Sequence, residues 1–431
     1  MRAYPAVSRR AVRARTLGPA PEAGVRSART RATFTGLEQP SIETGVAEGL
    51  SRDVRRTPAS RPTDRLFNAD ANRPGEPRRI LVGLLCPIGD TLFATPALAA
   101  LRRRFPRAHI TALVYRANAG ILDRNPDLDG VIVLNPTGRA PIALALLAKV
   151  GTIRRGRYDL LVSLSPAASP LAALAAIPRA VHLRLPGRWW WLAGSRDAQY
   201  RGRHAVDHYL LAVAPLLADP VTASQRRPRL YLTADQRAAA RARLSAAGVR
   251  AGDVVVTLHV GGDGFRGRKR WSPRRFATVA RALAERYAAR VVLVGGREDV
   301  ALAEQVAALL PGGAINLAGQ CSLPETAALI ERSTLFIGND SCPLHIAAAV
   351  GTPAVGIYGP SSVEQFAPVG GPGYLSRTPH ASLPCSPCFH FVGSEIPWLP
   401  NPCHSFACLK SISAETVLKA ALELLAEPIS L

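Results

Sequence analysis

The sequence predicts an α/β protein built from two doubly wound domains that follow one another along the chain. From residue 79 onward, short apolar runs alternate with helical segments, which is the pattern of a parallel sheet covered by helices on both faces. The 431 residues suffice for two domains of ordinary size. A polar, proline-containing stretch at 218–228 divides the alternation into two series and predicts the linker between the domains.

The chain before this alternation has a different character. Arg, Pro, Ser, Thr and Ala dominate residues 1–77, and neither helical nor strand periodicity is sustained there. We expect a disordered, Arg-rich tail, which is either inert, or lies before the true start of translation, or acts as an arm that binds a surface. The first domain is then predicted at 78–222. The second is predicted at 223–431 and includes a Cys-rich segment at 385–408 and a final helix.

The elements of the first domain follow from the apolar runs and from the helical periodicity between them. A fifth short run ends the series and is a candidate fifth strand. Strands are predicted at 80–85, 109–114, 131–134, 158–164 and 181–185, and helices at 91–105, 142–153 and 204–217.

The second domain repeats the alternation. Thr233 and Ser272 are predicted helix N-caps, and Pro273 suits the first helical position. Ligands of open α/β sheets bind beyond the carboxyl ends of the strands, so we expect the site in a cleft between the two domains. Strands are predicted at 254–259, 291–294, 335–338 and 354–358, and helices at 233–247, 272–287, 300–310, 323–332, 343–350 and 414–426.

The charge of the chain favours anionic partners. The net charge is +23, although 50 of the 54 basic residues are Arg, a bias that a GC-rich genome also produces. No basic run interleaved with aromatic residues occurs, so nucleic acid is not predicted as a partner. Neither an apolar stretch of membrane-spanning length nor a secretory signal is found. A cytoplasmic protein is expected, with or without peripheral contact with the inner face of the cytoplasmic membrane.

Three loops that follow predicted strands carry candidate functional residues. Gly89 and Asp90 come directly after the first strand, where Asp90 is either a helix N-cap or a chemical group. Gly261 and Gly262 open a loop that runs to Lys269, which is either a phosphate-binding loop or a solvated basic loop.

The third loop, Asn339-Asp340-Ser341-Cys342, leads into a helix that holds Pro343 and His345. Free backbone N–H groups and the positive end of the helix make this an anion site, and helix capping by Asp340 or Ser341 is the alternative. Similar turns at 351–353 and 359–362 lie on the same edge of the predicted sheet, so a nucleotide-diphosphate pocket is indicated.

Together these motifs resemble glycosyltransferase family 9, which contains the lipopolysaccharide heptosyltransferases. The matching patterns are Gly-Asp-x5-Pro-Ala-Leu, Lys-x-Trp-x-Pro, Gly-Asn-Asp-Ser-x-Pro-x-His-x-Ala-Ala-Ala-x-Gly-Thr-Pro and Tyr-Gly-Pro, in the family's order across 79–425. The resemblance implies a GT-B fold and an inverting reaction that needs neither a metal ion nor a cofactor.

The resemblance also implies roles for individual residues. Asp90 matches the catalytic base, and Lys269 matches the lysine that steadies the donor diphosphate. An acidic residue after Gly295-Gly296 matches a ribose contact, for which Glu298 and Asp299 are both available and Asp299 is favoured. The family usually has Gly where this chain has Cys342, which narrows the approach to the helix. The predicted donor-binding residues are Gly261, Gly262, Asp299, Asn339, Asp340, Ser341, Cys342 and His345.

The expected activity is therefore transfer of a heptose or related sugar from a nucleotide diphosphate, by the resemblance ADP-heptose, to a lipopolysaccharide core or other surface glycan. The acceptor is expected to be lipid-linked or a polysaccharide. Two alternatives remain at this point. One is a nucleotide-sugar epimerase of the same fold, and the other is a non-catalytic basic protein that binds membranes or nucleic acid.

Two further clusters stand outside these motifs. The spacing Cys385-x2-Cys388-x14-Cys403-x4-Cys408 suits reduced thiols, a structural metal or disulfides, and reduced thiols are favoured, so no metal is predicted. Residues 189–191 are three consecutive Trp flanked by Arg188 and Arg196. They indicate either a membrane interface or one core Trp with two on its rim.

Overall fold

In the computed structural model, the residues described are 75–136, 142–183, 202–262, 267–388, 403 and 405–426. The predicted tail lies almost wholly outside them, as do the three consecutive Trp. Within the described residues, none of the helices combines the length and the apolarity needed to cross a membrane.

The first lobe is a parallel sheet of five strands in the order β3-β2-β1-β4-β5. Its strands are β1 Arg79–Leu84, β2 His109–Tyr115, β3 Gly130–Leu134, β4 Leu160–Ser163 and β5 Arg179–His182. Its α-helices are α1 Ile88–Phe93, α2 Thr95–Arg104, α3 Ile142–Arg155, α4 Leu171–Leu174 and α5 Ala205–Val213, with 3₁₀ turns at Arg116–Ile121, Pro166–Ala168 and Ala214–Leu216.

The second lobe is a parallel sheet of six strands in the order β11-β10-β9-β6-β7-β8. Its strands are β6 Val255–His259, β7 Arg290–Val294, β8 Ile315–Asn316, β9 Leu335–Asn339, β10 Ala354–Ile357 and β11 Ser376–Arg377. Its α-helices are α6 Ala234–Ala246, α7 Pro273–Tyr287, α8 Val300–Ala307, α9 Leu323–Glu331, α10 Cys342–Val350, α11 Val363–Phe366, α12 Ala407–Ser411 and α13 Ala414–Ala426, with 3₁₀ turns at Ala223–Arg226 and Arg297–Asp299.

The predicted fold class is confirmed, because both sheets are parallel and the sequence alternation maps onto their strands. Thr233 and Ser272 occupy the N-cap positions of α6 and α7, as predicted. The two-residue strands β8 and β11 were not predicted, since so short a segment carries no periodicity.

The single helix predicted at 91–105 is wrong, because the chain forms α1 and α2 instead. Pro96 lacks the N–H that would continue the helical ladder to the carbonyl of Leu92. The Thr95 hydroxyl donates to that carbonyl at 2.7 Å and satisfies it. The chain therefore breaks between α1 and α2, and α1 begins at Ile88, earlier than predicted.

The strand order changes direction at β1/β4 in the first sheet and at β6/β9 in the second. Such switch points open a crevice at the carboxyl edge of a sheet. α1 follows β1, and α10 follows β9, so both helices begin at these crevices. The helices also touch: a Cβ built on Gly89 would lie 3.7 Å from the His345 ring and 3.8 Å from Cys342 Cα. The carboxyl edges of the two sheets thus meet through α1 and α10.

Polar and apolar contacts tie the lobes together near the predicted linker. Arg226 makes a bidentate ion pair with Asp207 of α5: Nε lies 2.6 Å from Oδ1 and Nη2 lies 2.7 Å from Oδ2. The Arg227 side chain donates to the carbonyl of Ala349 in the second lobe at 2.9 Å. One cluster of buried apolar side chains also runs through both lobes and includes Phe93 of α1. The centroid of the Phe93 ring lies 4.4 Å from the centroid of the His345 ring.

Candidate active site

Asp90 lies in the first turn of α1, where it is half-buried. The alternative that Asp90 caps this helix is wrong, because Pro87 occupies the N-cap and no side-chain cap is formed. Instead the Asp90 carboxylate accepts a hydrogen bond of 3.1 Å from the hydroxyl of Tyr209, a fully buried residue of α5. Asp90 therefore does not cap α1. Its carboxylate is oriented by a side chain of the neighbouring helix α5.

The surroundings of Asp90 make it a stronger base than an exposed carboxylate. Burial raises its pKa to about 6, against the opposing effects of the Tyr209 hydrogen bond and the Lys269 charge, while the negative charge of Asp340 adds to the rise. Burial and the Asp90 charge hold the pKa of Tyr209 well above its usual value, so Tyr209 stays a donor. Asp90 is thus ionised at neutral pH and suited to accept a proton.

On the second lobe, Lys269, Asp340 and His345 form an ionic cluster. Lys269 Nζ lies 2.5 Å from Asp340 Oδ2, and His345 Nε2 lies 3.5 Å from Asp340 Oδ1. The Lys269 side chain is only 13% exposed, so the alternative of a solvated basic loop is wrong for this residue. Burial favours a raised pKa for Asp340, but the effects of Lys269 and His345 outweigh it and hold that pKa well below its usual range.

A second polar chain crosses the β6/β9 switch point. Ser341 is the N-cap of α10 but forms no side-chain cap, so the capping alternative is wrong here too. Its hydroxyl lies 3.0 Å from His259 Nδ1, and His259 Nε2 lies 3.2 Å from Asp299 Oδ2. Asp299 also accepts from the backbone N–H groups of Gly262 and Gly296, at 3.3 and 3.1 Å. The Asp299 carboxylate is buried and surrounded by donors of the protein itself.

Each of the two positions that follow β6 requires glycine. A Cβ on Gly261 would lie 1.8 Å from Asp299 Oδ1, so any side chain there displaces the carboxylate. Gly262 has φ +108°, a conformation that L residues rarely adopt. The loop therefore keeps its bare backbone at the carboxyl edge of β6, where backbone groups can approach an anion.

Asn339 holds the loops of the second lobe together. Its amide nitrogen donates to the carbonyls of Val260 and Gly261, at 3.2 and 2.8 Å. Its amide oxygen accepts from the backbone N–H of Trp271 at 3.0 Å. The side chain is fully buried, so Asn339 fixes where the glycine loop and the Lys269 segment lie.

Cys342 and Glu298 complete the predicted set. Cys342 is the first residue of α10, it is half-buried, and burial together with the Asp90 charge raises the pKa of its thiol to about 12. The thiol is therefore neutral. It narrows the space at the N-terminus of α10 without adding charge. Glu298 is exposed at the carboxyl edge of β7, next to the buried Asp299.

The structure brings the predicted residues of both lobes together. Asp90 feels the charges of Lys269 and Asp340, so a carboxylate from the first lobe is within electrostatic range of the ionic cluster on the second. A carboxylate suited to accept a proton thus lies near a cation and near the N-terminus of a helix, and both of these groups can stabilise an anion. Tyr209 and His259 were missed: Tyr209 lies outside every motif, and His259 is signalled only by its place at the end of β6.

The cysteine cluster lies beside the loop that follows β10: the backbone N–H of Cys388 donates to the carbonyl of Pro360 at 2.9 Å, and a Cβ built on Gly359 would lie 3.4 Å from Cys408 Sγ. None of Cys385, Cys388, Cys403 and Cys408 is in a disulfide. Burial raises the pKa of the Cys408 thiol, and the charges of the other three cysteines add to the rise. Among the described residues, which exclude 390 and 404, no three His, Cys, Asp or Glu side chains are placed to hold one metal ion.

One Asp-x-Asp spacing, at Asp127 and Asp129, is used by the fold. The Asp129 carboxylate accepts from the side chain of Arg102 and from the backbone N–H of Ile110, the latter at 2.7 Å. It precedes β3 and thus lies at the amino edge of the first sheet, opposite to the edge where Asp90 lies. These carboxylates therefore take no part in the site.

Comparison with known proteins assigns the chain to a family. Residues 148–398, more than half of the chain, match the model of glycosyltransferase family 9 (heptosyltransferase). The chain belongs to this family. It is therefore a glycosyltransferase, and the resemblance inferred from the sequence is confirmed.

Relatives within the family are found both by sequence and by structure. The chain is 30% identical to lipopolysaccharide heptosyltransferase 3 of Escherichia coli (strain K12) over 281 residues, 63% of this chain and 79% of that protein. A family 9 glycosyl transferase from Veillonella parvula superposes with a TM-score of 0.64 at 25% identity, over 81% of this chain and 98% of that one. E. coli ADP-heptose lps heptosyltransferase II gives a TM-score of 0.62 at 21% identity, over the same shares.

Proposed function

We propose that this family 9 member is an inverting, metal-independent heptosyltransferase that transfers heptose from ADP-heptose to a lipopolysaccharide core or other surface glycan. The observation that carries the proposal is the close approach of α1 to α10: Gly89, next to Asp90, lies against His345, which together with Lys269 surrounds Asp340. The printed names of the relatives, lipopolysaccharide heptosyltransferase 3 and ADP-heptose lps heptosyltransferase II, support the choice of sugar and acceptor.

In the proposed reaction, an acceptor hydroxyl attacks the anomeric carbon from the face opposite to the diphosphate. The new glycosidic bond forms as the bond to the diphosphate breaks, so the anomeric configuration inverts. Asp90 takes the proton of the attacking hydroxyl. Lys269 and the N–H groups at the start of α10 stabilise the negative charge of the departing nucleoside diphosphate.

The remaining residues either contact the donor or hold other residues of the site in position. We assign Ser341 and the backbone of Gly261 and Gly262 to the diphosphate, since they border the start of α10 and the loop after β6. We assign Asp299 and Asn339 to positioning, because the protein's own donors and acceptors already occupy them.

The ribose contact predicted for Asp299 is better assigned to its neighbour Glu298. Glu298 is exposed at the same strand end, whereas Asp299 is buried. Asp340 orients Lys269 and His345 within the ionic cluster. Cys342 limits the room for the donor sugar at the first position of α10.

An acceptor-dependence assay tests this function. The purified chain is incubated with ADP-heptose, with and without a lipopolysaccharide core that lacks the terminal heptose. We expect heptosylated core and released ADP only when both substrates are present, at a rate that EDTA leaves unchanged. An epimer or a free sugar formed without acceptor would favour the epimerase alternative. Salt-sensitive binding with no turnover would favour the non-catalytic one.

The pH dependence of turnover tests the role of Asp90 and its partner Tyr209. The carboxylate is the active form, so kcat should fall as pH decreases below about 6, the pKa to which burial raises Asp90. Tyr209→Phe removes a hydrogen bond that lowers this pKa, so the acidic limb should move to higher pH while turnover recovers in alkaline buffer. A purely structural Tyr209 would lower turnover at every pH and leave the limb in place.

A further inference from the structure

Large apolar side chains are exposed at few places in the described residues, and most of them share one helix. Ile142, Leu144 and Leu147 of α3 are 42%, 56% and 52% exposed. The other two are Val131 on β3 and Leu309 in the turn after α8. Scattered exposed apolar residues are ordinary, but Leu144 and Leu147 lie one turn apart on the outward side of α3, and such a pairing marks an interaction surface.

α3 has two unlike faces. Leu146 and Ile153 are buried against the first sheet. At 100° per residue the opposite face carries Leu144, Leu147, Ala148 and Gly151, followed by Arg154 and Arg155 in the last turn. The solvent face of a surface helix normally carries mixed polar and charged residues. This outward face has no acidic residue and shows only apolar and cationic groups near its centre.

Apolar side chains beside arginines fit the surface of an anionic bilayer. The leucines can enter the boundary between headgroups and acyl chains, and the arginines can pair with lipid phosphates. A second copy of this chain is disfavoured as the occupant, because both copies carry the net charge of +23 and repel each other. That charge attracts the complete protein to a negative membrane.

We propose that the outward face of α3 docks the protein on an anionic lipid bilayer. α3 connects β3 to β4, and β4 pairs with β1, the strand that leads to Asp90. The docking surface therefore belongs to the lobe that supplies the proposed base. The biological use of the surface rests on the proposed function with its lipid-linked acceptor, whereas lipid binding itself can be measured without turnover.

Vesicle sedimentation of the purified full chain tests the proposal. Vesicles of phosphatidylcholine alone are compared with vesicles that also contain phosphatidylglycerol. We expect binding to the anionic vesicles that weakens as salt is raised. Leu144→Gln with Leu147→Gln should lower the affinity by at least about tenfold. Arg154→Gln with Arg155→Gln should lower it by about fivefold for each arginine and remove the preference for anionic lipid.

Leu309→Gln is the matched control, because Leu309 is 44% exposed on the second lobe and should leave binding unchanged. Equal binding by the wild type and the α3 leucine variant would overturn the proposal, as would an equal loss in the Leu309 variant. A wild-type dimer that the α3 variant loses, without vesicle binding, would show that a second copy covers this face and would overturn it too.

A second readout separates this proposal from the proposed function. Transfer to a water-soluble, delipidated core oligosaccharide should proceed at the wild-type rate in the α3 variants, because α3 lies outside the site. Absence of transfer in every variant, with vesicle binding intact, would contradict the proposed function alone. A loss of soluble-acceptor transfer in the folded α3 variants would contradict the docking role.

Discussion

Asp90→Asn should lower kcat by about 100- to 10,000-fold, the usual contribution of a positioned general base. The amide keeps the shape of the side chain and can still accept the hydrogen bond from Tyr209, but it cannot take the acceptor's proton. The affinity for ADP should stay nearly unchanged, because the diphosphate contacts lie on the other lobe. Rapid-quench turnover and calorimetric ADP titration measure the two quantities. Asp90→Ala should behave alike, and near-wild-type turnover in either variant would rule out the base.

The same substitution should stabilise the fold at neutral pH. Since burial raises the pKa of Asp90 above its unfolded value, the folded state holds the proton more tightly and loses stability as pH rises through about 6. Asn carries no proton to lose, so the free energy of unfolding at pH 7 should rise by about 1 to 3 kcal/mol and the gain should shrink towards pH 4. An inactive variant that is also less stable would point to a structural role for Asp90.

Lys269→Met should reduce both activity and stability. Loss of the cation that faces the departing diphosphate should lower kcat/KM by about 100- to 1,000-fold. Removal of one partner also leaves the Asp340 carboxylate buried without its ion pair, which costs about 3 to 5 kcal/mol of unfolding free energy. Steady-state kinetics and denaturant unfolding measure these two losses.

A double variant separates the two effects. Lys269→Met combined with Asp340→Asn removes the unpaired charge, so stability should recover while activity stays low. Lys269→Arg keeps a positive charge and tests whether the compact ammonium is required. Recovery of activity together with stability in the double variant would show that Lys269 acts only through the fold.

The fold was predictable because its signals are local. Apolar runs of strand length and N-caps such as Thr233 each depend on neighbouring residues. The break between α1 and α2 was missed because the hydrophobic periodicity continues through it. The Thr95 hydroxyl satisfies the Leu92 carbonyl that Pro96 cannot reach, and this contact leaves no signal in the periodicity.

The candidate site residues could be proposed from sequence motifs, but the contacts that they make could not. Gly89, Lys269 and the loop that opens α10 stand in distinctive motifs. Tyr209 lies 119 residues from Asp90 along the chain, and no sequence motif predicts the hydrogen bond between them. The placement of Asp299 also depends on tertiary structure, since only the fold aligns His259 and two backbone N–H groups with its carboxylate.

The apolar cluster that runs through both lobes has a consequence for how the enzyme can change over evolution. Phe93 packs on His345, so the helix that carries the proposed base and the helix that opens the proposed donor site pack against the same side chains. A substitution in either helix is felt by both halves of the reaction at once.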